Sequence, residues 1–383
     1  MKIVIAPDSF KECLSAQAVA AAIAAGIHDA LPAAQCVQLP LADGGEGTVD
    51  TLLAALGGQR LARTVSGPLG EPMSAHFGLT ASGTAIVEMA AASGLALLPP
   101  PQRDPLRASS FGTGELIRAA LDAGARHLML GIGGSASNDG GAGLLQALGM
   151  RLLDEAGHEI PQGGAALAKL ARIDATSLDP RLADCVIDVA CDVRNPLLGA
   201  QGASAVYGPQ KGATPAMVAQ LDAALAHFAA IVQRDLGADV ASLPGAGAGG
   251  GIGAGLIAGL GVTLRPGIEV LGELLGLDAA IRDADLVITG EGRIDTQTLA
   301  GKAASGVARI AQGHGKPVIA IGGSIACSPD DLRRLGFDAA FAALQTPQSL
   351  EAAIAQAGEN LRQVARNIAA LLALGEENRT RFG

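Results

Sequence analysis

Loops with acidic or hydroxyl residues, four of them containing glycine and two placing an acidic residue beside a proline turn, follow most of the apolar, β-branched segments of this sequence. Such loops could bind phosphate, because glycine lets several backbone N–H groups approach one anion. Their carboxylates could bind a divalent cation, which prefers hard oxygen ligands. Six segments fit this description: residues 6–11, 41–48, 131–141, 190–196, 289–298 and 322–324. Short loops are often rich in glycine and aspartate for turns and helix caps, but six together favour a site for phosphate, metal or both.

The loop at residues 131–141 admits an alternative interpretation. Gly131, Gly133 and Ala136 match the GxGxxA pattern of dinucleotide-binding folds. A further strand ends at Asp154, about 20 residues on, where that motif has its ribose-binding acid. A NAD(P)-dependent dehydrogenase that uses Gly131-x-Gly133-x-x-Ala136 is therefore an alternative function for this chain.

Two features favour a phosphate-binding loop instead. Residues 138–141 are Asn, Asp, Gly and Gly, whereas the dinucleotide motif needs apolar residues in the first turn of its helix, so we predict that the helix begins near Ala142. A long run of small residues directs several N–H groups at one phosphate and suits a triphosphate. The chain contains no GxxxxGK[ST] motif, which excludes a Walker-type ATPase.

A second glycine-rich segment, residues 245–255, has seven glycines in eleven positions. A GxGxxG match in such a segment has little specificity. The segment could be a flexible low-complexity loop or a mobile cover over a ligand. The uncharged run 240–264 around it is long enough to span a bilayer, but its nine glycines and Pro244 favour a flexible loop followed by a helix.

Apolar segments alternate with alanine-rich helical segments, which is typical of an α/β fold with parallel sheets covered on both faces. We predict strands at residues 2–6, 37–41, 85–89, 127–132, 186–190, 286–289, 318–321 and 339–343. We predict helices at residues 16–30, 115–123, 215–235 and 350–374.

Composition limits the other possibilities. The 383 residues suggest two or three domains, at roughly 150 residues per domain. A net charge of −10 without a basic run disfavours nucleic acid and an acidic membrane surface as partners. Five scattered cysteines and an N-terminal apolar stretch of only four residues indicate neither a disulfide framework nor a signal peptide. We therefore expect a soluble cytoplasmic protein.

Seven segments of the chain, in order, resemble the bacterial class I glycerate kinases, the glycerate 2-kinase family. The matching segments are 5–16 (IAPDSFKECLSA), 41–50 (LADGGEGTVD), 109–117 (SSFGTGELI), 130–143 (LGIGGSASNDGGAG), 191–199 (CDVRNPLLG), 207–213 (YGPQKGA) and 285–302 (DLVITGEGRIDTQTLAGK). Two departures from the family pattern are small: Cys13 stands where serine is usual, and Ala304 where proline is common.

The resemblance implies ATP-dependent phosphorylation of D-glycerate with Mg²⁺, giving 2-phospho-D-glycerate and ADP. Phosphorylation at the 3-hydroxyl stays an alternative. It also implies two α/β domains: a discontinuous Rossmann/flavodoxin-like parallel-sheet domain (1–78 and 282–383) and an inserted α/β domain (79–281), with the active site in the cleft between them. The partners are then small molecules, D-glycerate and ATP, and a homodimer is left open.

Phosphoryl transfer needs a cradle for the phosphates, a metal ion, a cation and a proton acceptor. For the cradle we predict backbone and side chains of two glycine segments: Gly133, Gly134, Ser135, Ser137, Asn138, Gly290 and Gly292. For Mg²⁺ we predict Asp139 and Glu291 as ligands.

One of the acids at the strand ends should accept the proton of the hydroxyl. Asp192 is our first choice, because it follows the apolar segment 186–191, where burial can raise the pKa of a carboxylate. Asp43 and Asp295 are the alternatives. Lys11 could bind a phosphate or the substrate carboxylate, and Arg293 offers a planar fork for either group. Arg194 and Lys211 are weaker candidates for the same work.

Overall fold

The computed structural model describes residues 1–10, 13–42, 44–45, 47–295, 298, 303–344 and 346–382, with side chains up to residue 375. By its contacts the chain divides into two compact units, Met1–Asp43 with Leu271–Gly383, and Gly44–Val270. The domain limits expected from the sequence lie elsewhere: 78/79 falls inside a strand and 281/282 inside a helix. That domain division stays a prediction.

The described residues form the following strands: β1 (Lys2–Pro7), β2 (Gln35–Gln38), β3 (Gly58–Ser66), β4 (Pro72–Thr80), β5 (Thr84–Glu88), β6 (His127–Gly131), β7 (Arg151–Leu153), β8 (Arg172–Asp174), β9 (Val186–Ala190), β10 (Leu264–Arg265), β11 (Leu286–Ile294), β12 (Val318–Ile325) and β13 (Ala339–Ala342).

They form the following α-helices: α1 (Ala16–Ala30), α2 (Thr48–Leu56), α3 (Ala90–Ser93), α4 (Phe111–Asp122), α5 (Ala142–Ala147), α6 (Ala203–Tyr207), α7 (Pro215–Leu236), α8 (Ala248–Leu260), α9 (Gly267–Leu275), α10 (Leu277–Arg282), α11 (Ala303–Gly313), α12 (Pro329–Leu335), α13 (Leu350–Ala355) and α14 (Ala357–Phe382).

All eight strands predicted from the sequence are present, with shifted ends. Strands β11 and β12 continue to Ile294 and Ile325, so residues 289–294 and 322–324 are strand rather than loop. The helix predicted at 350–374 is divided into α13 and α14. Strand β7 corresponds to the strand expected before Asp154. Strands β3, β4, β8 and β10 were not predicted; β3 is largely exposed and therefore lacks an apolar run.

The first unit contains a parallel sheet whose described strands have the order β13-β12-β11-β1-β2. This is the flavodoxin-like order, in which ligands bind where the direction of winding changes, here at the carboxyl ends of β1 and β11. Ile3, Ile5 and Ile288 are fully buried and pack with residues of α1 and α14. The predicted Rossmann/flavodoxin-like sheet is confirmed.

The second unit contains a mixed sheet whose described strands have the order β10-β9-β6-β5-β4-β3. Strands β10, β9, β6 and β5 are parallel, and β4 and β3 continue the sheet as an antiparallel pair. Strands β7 and β8 form a separate antiparallel pair. The α/β class is thus confirmed for both units.

The glycine-rich segment 245–255 is largely buried and includes the start of helix α8. Gly249, Gly250 and Gly251 have φ of +63°, +74° and +92° at the start of α8, and Gly250 and Gly251 are buried. A Cβ atom at Gly250 would overlap the carbonyl oxygen of Ser137. Gly250 O also accepts a hydrogen bond from the N–H of Gly140, at 3.1 Å. The segment therefore packs backbone against backbone on the loop 131–141.

Helix α7 is long and apolar enough to cross a membrane by length and composition. Leu225, Phe228 and Val232 on one face of this helix are fully buried in the core of the second unit. Helix α7 is therefore a core helix, and its apolar character does not indicate a membrane protein.

Candidate active site

The loop 131–141 begins where three chain segments meet. In the sheet Gly131 lies beside Glu88 of β5 and Ala190 of β9. A Cβ atom at Gly131 would overlap the carbonyl oxygen of Gly44, and one at Gly44 would lie 2.9 Å from Ala190 Cβ. Gly44, Gly131 and Ala190, which belong to three of the six segments identified in the sequence, therefore lie together at this sheet edge.

The backbone of this loop presents N–H groups of the kind that bind anions. Leu95 N–H donates to Gly134 O at 2.8 Å and Ala136 N–H to Ser93 O at 2.9 Å, which fixes the loop against residues 93–95. Among the described residues, the N–H groups of Gly133, Gly134 and Ser135 donate to no backbone acceptor. Gly133 and Gly134 are exposed, and Gly134 has φ of +76°. The arrangement suits a phosphate group.

Two buried side chains behind these glycines have polar atoms without partners. Ser137 and Asn138 are both 0% exposed. Among the described residues, Ser137 Oγ and Asn138 Oδ1 have no hydrogen-bond partner, whereas Asn138 Nδ2 donates to Ser204 Oγ at 2.9 Å. Such atoms are rare in folded proteins and usually mark a place where an ion, water or ligand binds.

Lys211 lies beneath the same loop. Its side chain is 2% exposed, and its Nζ donates to Ser135 Oγ and to Ser137 O, both at 2.6 Å. Burial lowers the pKa of Lys211 to about 7, although the nearby Asp139 carboxylate opposes this shift. The sequence suggests Lys211 only as a weaker cation, because nothing in YGPQKGA shows that the lysine is buried.

Asp139, predicted as a ligand of Mg²⁺, has its carboxylate enclosed by hydrogen-bond donors. It is 0% exposed. Its Oδ2 accepts from Ser110 N–H and O–H, both at 2.8 Å, and from Gly143 N–H at 3.3 Å, and its Oδ1 accepts from Gly141 N–H at 3.2 Å. These bonds tie the loop 131–141 to the starts of α4 and α5. The metal assignment of Asp139 stays a prediction that this geometry does not favour.

Asp192 lies at the same sheet edge, two residues beyond the end of β9. Its Oδ1 accepts a hydrogen bond at 2.8 Å from Gly267 N–H, the first residue of α9. The side chain is exposed, and Val186 at the start of β9 is 61% exposed. The reason given for choosing Asp192, burial after an apolar strand, is therefore wrong, whereas its role as a base stays a prediction.

Glu88 was missed by sequence reasoning. It ends β5, is 5% exposed, and accepts a hydrogen bond at 2.6 Å from Val49 N–H in the first turn of α2. A carboxylate at a helix N-terminus is stabilised by the helix dipole. Glu88, which lies beside Gly131 in the sheet, therefore holds the first turn of α2 at this edge. An acid at the end of a predicted apolar strand was the available signal.

Two buried acids lie at the switch point of the first unit. Asp8 follows β1 and is 8% exposed, and its N–H donates to Gly290 O at 2.8 Å. Glu291 is 6% exposed and lies in β11, where its Oε1 accepts a hydrogen bond from Thr298 Oγ1 at 2.8 Å. The carboxyl ends of β1 and β11 thus bring carboxylates to the place where this topology binds ligands.

Arg293 and Asp295 are joined to this group. Arg293 Nε lies 3.1 Å from Asp295 Oδ2, with the arginine side chain 67% exposed. Asp295 N–H donates to Thr298 Oγ1 at 3.2 Å. Thr298 therefore connects Asp295 with Glu291, a link that the sequence did not predict.

Gly290, predicted to bind the nucleotide, is a strand residue. A Cβ atom there would overlap Ile321 O of β12, so the glycine allows close approach of the two strands. Gly292 lies further along β11, and Gly323 approaches it closely in the same way. The nucleotide-binding assignments of Gly290 and Gly292 stay predictions. Lys11 and Asp43, two of the predicted catalytic residues, lie outside the described residues.

The dinucleotide interpretation is not supported. Helix α5 begins at Ala142, as predicted for a phosphate loop. Strand β7, which precedes Asp154, pairs with β8 outside the main sheet, whereas the ribose-binding acid of a dinucleotide fold follows a strand beside the first one. Asp154 Oδ1 instead accepts hydrogen bonds from Ala156 and His158 N–H in a local turn.

Comparison with known proteins gives a consistent result. A model of the glycerate kinase family matches residues 3–373. The chain is 52% identical to glycerate 2-kinase of Escherichia coli K12, covering 99% of this chain and all of that protein. It is 51% identical to glycerate kinase of Bacillus subtilis 168, over 98% and 99% of the two chains.

A solved structure, described as a glycerate kinase 2 from Salmonella typhimurium LT2, aligns with 55% sequence identity and a TM-score of 0.90. The alignment covers 98% of this chain and 99% of that one. The resemblance found in the seven sequence segments is thereby confirmed. The chain belongs to the glycerate kinase family and is a kinase that acts on an alcohol group.

Proposed function

We propose that this protein transfers the γ-phosphoryl group of ATP to the 2-hydroxyl of D-glycerate, giving 2-phospho-D-glycerate and ADP. The observation that carries the proposal is the loop 131–141. Its exposed glycines have N–H groups that meet no backbone acceptor among the described residues, and Ser137 Oγ and Asn138 Oδ1 are buried without partners behind them. Phosphate oxygens would accept hydrogen bonds from these N–H groups. Water molecules ordered by the phosphates would donate hydrogen bonds to the two buried side-chain oxygens.

The choice of the 2-hydroxyl rests on relatives. The protein from Escherichia coli, 52% identical to this chain, is named glycerate 2-kinase. High identity over nearly the whole chain supports the same acceptor here. Phosphorylation of the 3-hydroxyl is the other outcome of the experiment below.

We propose that the carboxylate of Asp192 accepts the proton of the reacting hydroxyl. As the hydroxyl oxygen bonds to the γ-phosphorus, the bond to ADP breaks and a carboxylate accepts the proton. Asp192 is exposed at the sheet edge that carries the loop 131–141, and its Oδ1 is oriented by Gly267 N–H. Lys11, Asp43, Asp295 and Arg293 are retained as the further catalytic residues, with the cations binding phosphate or the substrate carboxylate.

Mg²⁺ would neutralise charge on the phosphates when bound. It is usually held by one or two carboxylates together with substrate phosphates. Glu291 fits this role as a hard oxygen ligand at the β1/β11 switch point, where Thr298 orients its Oε1. Asp139 does not fit, since donors surround both of its oxygens. The partners are thus ATP, Mg²⁺ and D-glycerate in the cytoplasm, with a homodimer left open.

Product analysis tests the proposal. Purified protein is incubated with ATP, Mg²⁺ and D-glycerate, ADP release is measured, and the product is identified by ³¹P and ¹³C NMR. We expect 2-phospho-D-glycerate. Absence of ADP release would contradict the kinase reaction, and 3-phospho-D-glycerate would contradict the acceptor. D-lactate, which has a 2-hydroxyl but no 3-hydroxyl, serves as the matched alternative acceptor.

A further inference from the structure

Lys211 keeps an ammonium group inside the second unit. It ends the short 3₁₀ turn Pro209–Lys211, and its side chain is among the largest that are fully buried. A buried charge costs several kcal/mol unless it is paired and hydrogen-bonded. Its two bonds, to Ser135 Oγ and Ser137 O at 2.6 Å, are therefore its main compensation among the described residues.

Both bonds end on the loop 131–141, on either side of Ala136. The same part of the loop is also fixed by two backbone bonds, from Ala136 N–H to Ser93 O and from Leu95 N–H to Gly134 O. The loop is thus held both by backbone bonds to residues 93–95 and by the side chain of Lys211. Without the ammonium, Ser135 Oγ and Ser137 O would lose these donors, and the N–H groups of neighbouring residues would lose a fixed direction.

We infer that Lys211 is a positioning residue for the nucleotide: by bridging Ser135 Oγ and Ser137 O, it holds residues 133–138 in the conformation that binds the phosphates of ATP. The inference rests on the proposed function only in the identity of the ligand. Lys211 is too buried to touch that ligand directly, and it acts through the loop.

Electrostatics gives this arrangement a measurable signature. Among the described residues, Asp139 is the charged group whose field reaches Lys211 Nζ, and Ser135 and Ser137 supply its hydrogen-bond acceptors. Burial lowers the pKa of the lysine to about 7. The negative charge of bound ATP above the loop favours the protonated amine, so that nucleotide binding should raise this pKa. By linkage, ATP should bind more weakly as pH rises through about 7.

The test measures the dissociation constant of MgATP by calorimetry for the wild type, K211M, K211R and the control K169M, which removes an exposed lysine. We expect K211M to weaken binding by about tenfold or more, corresponding to the loss of hydrogen bonds from a charged donor. K211R should recover part of the affinity, and K169M should match the wild type. Between about pH 6 and 8.5 the wild type should lose more affinity than K211R, since arginine stays protonated.

Affinity of folded K211M within about twofold of the wild type would overturn the inference. If K211M does not fold, ¹³C NMR of the wild type with labelled lysine decides, because the chain has only six lysines. We expect one resonance with a midpoint near pH 7 that moves upward on addition of MgATP. An unchanged midpoint would contradict a coupling between Lys211 and the nucleotide. ATP binding without turnover of glycerate would contradict the proposed function and leave this result standing.

Discussion

Replacement of Asp139 by asparagine should destabilise the second unit strongly, whether or not metal is present. Four hydrogen bonds at 2.8–3.3 Å end on this fully buried carboxylate. Bonds to a charged acceptor contribute about 1.5–3 kcal/mol each and neutral ones about 0.5–1.5 kcal/mol, so each bond weakens by about 1 kcal/mol. Asparagine also places an N–H₂ group against an N–H donor. We expect a total loss of about 4 kcal/mol of unfolding free energy.

Tyr207 provides the assay, because it is the only tyrosine and the chain has no tryptophan. Its fluorescence therefore reports urea unfolding of the second unit. The matched control is D184N, which changes an exposed aspartate on the same unit and should alter the unfolding free energy by less than about 0.5 kcal/mol. S110A, which removes one of the donors to Asp139, should cost about 1–2 kcal/mol.

The measurement in EDTA separates the structural role from the predicted metal-ligand role. A carboxylate that only binds Mg²⁺ contributes nothing to the unfolding free energy without the ion. If D139N and the wild type agree within about 1 kcal/mol in EDTA and differ when Mg²⁺ is added, our account of Asp139 is refuted.

Three further outcomes follow from the geometry. In urea unfolding, G250A should lower the unfolding free energy by about 2 kcal/mol or more beyond the loss caused by G261A. Both glycines have positive φ, but a Cβ atom would overlap backbone at Gly250, whereas nothing lies within 4 Å at Gly261. Equal losses of unfolding free energy would contradict the close packing of α8. D192N should lower kcat by about 10²–10⁴-fold while the dissociation constant of MgATP stays unchanged; wild-type turnover would move the proton acceptor to another acid. Burial lowers the pKa of Lys211 to about 7, so that above this pH the unfolded chain binds more protons than the folded chain. The unfolding free energy of the wild type relative to K211M should therefore rise between about pH 7 and 10. A difference that stays flat or falls over this range would contradict the burial of a charged amine.

Sequence reasoning succeeds in this protein where the chemistry is local. The apolar strand β6 followed by small residues, and the polar residues 138–141 that delay the helix to Ala142, are readable without tertiary information. The parallel pairing of strands follows from the alternation of strands and helices. The loop 131–141 could therefore be predicted to bind phosphate before its contacts were known.

It fails where the role of a residue depends on what packs against it. The sequence GEGRI resembles a loop, yet β11 continues through it because Gly290 lets the backbone of β12 approach. Lys211 is one basic residue among 27 in the sequence, and only its enclosure by the fold distinguishes it. For Asp139, the sequence does not show the hydrogen-bond donors from the starts of α4 and α5 that surround its carboxylate.

The packing of α8 on the loop 131–141 has a consequence for engineering. Exchange of glycine for alanine commonly stabilises proteins by narrowing the unfolded ensemble. At Gly250 and Gly253 this exchange would not stabilise the protein, because the alanine methyl group would overlap a neighbouring carbonyl oxygen. These glycines lose much conformational entropy when the chain folds. The surface that they form against the loop 131–141 consists of main chain, which has no side-chain rotamers that could rearrange. Thermostable variants should accordingly gain their stability elsewhere and keep these glycines.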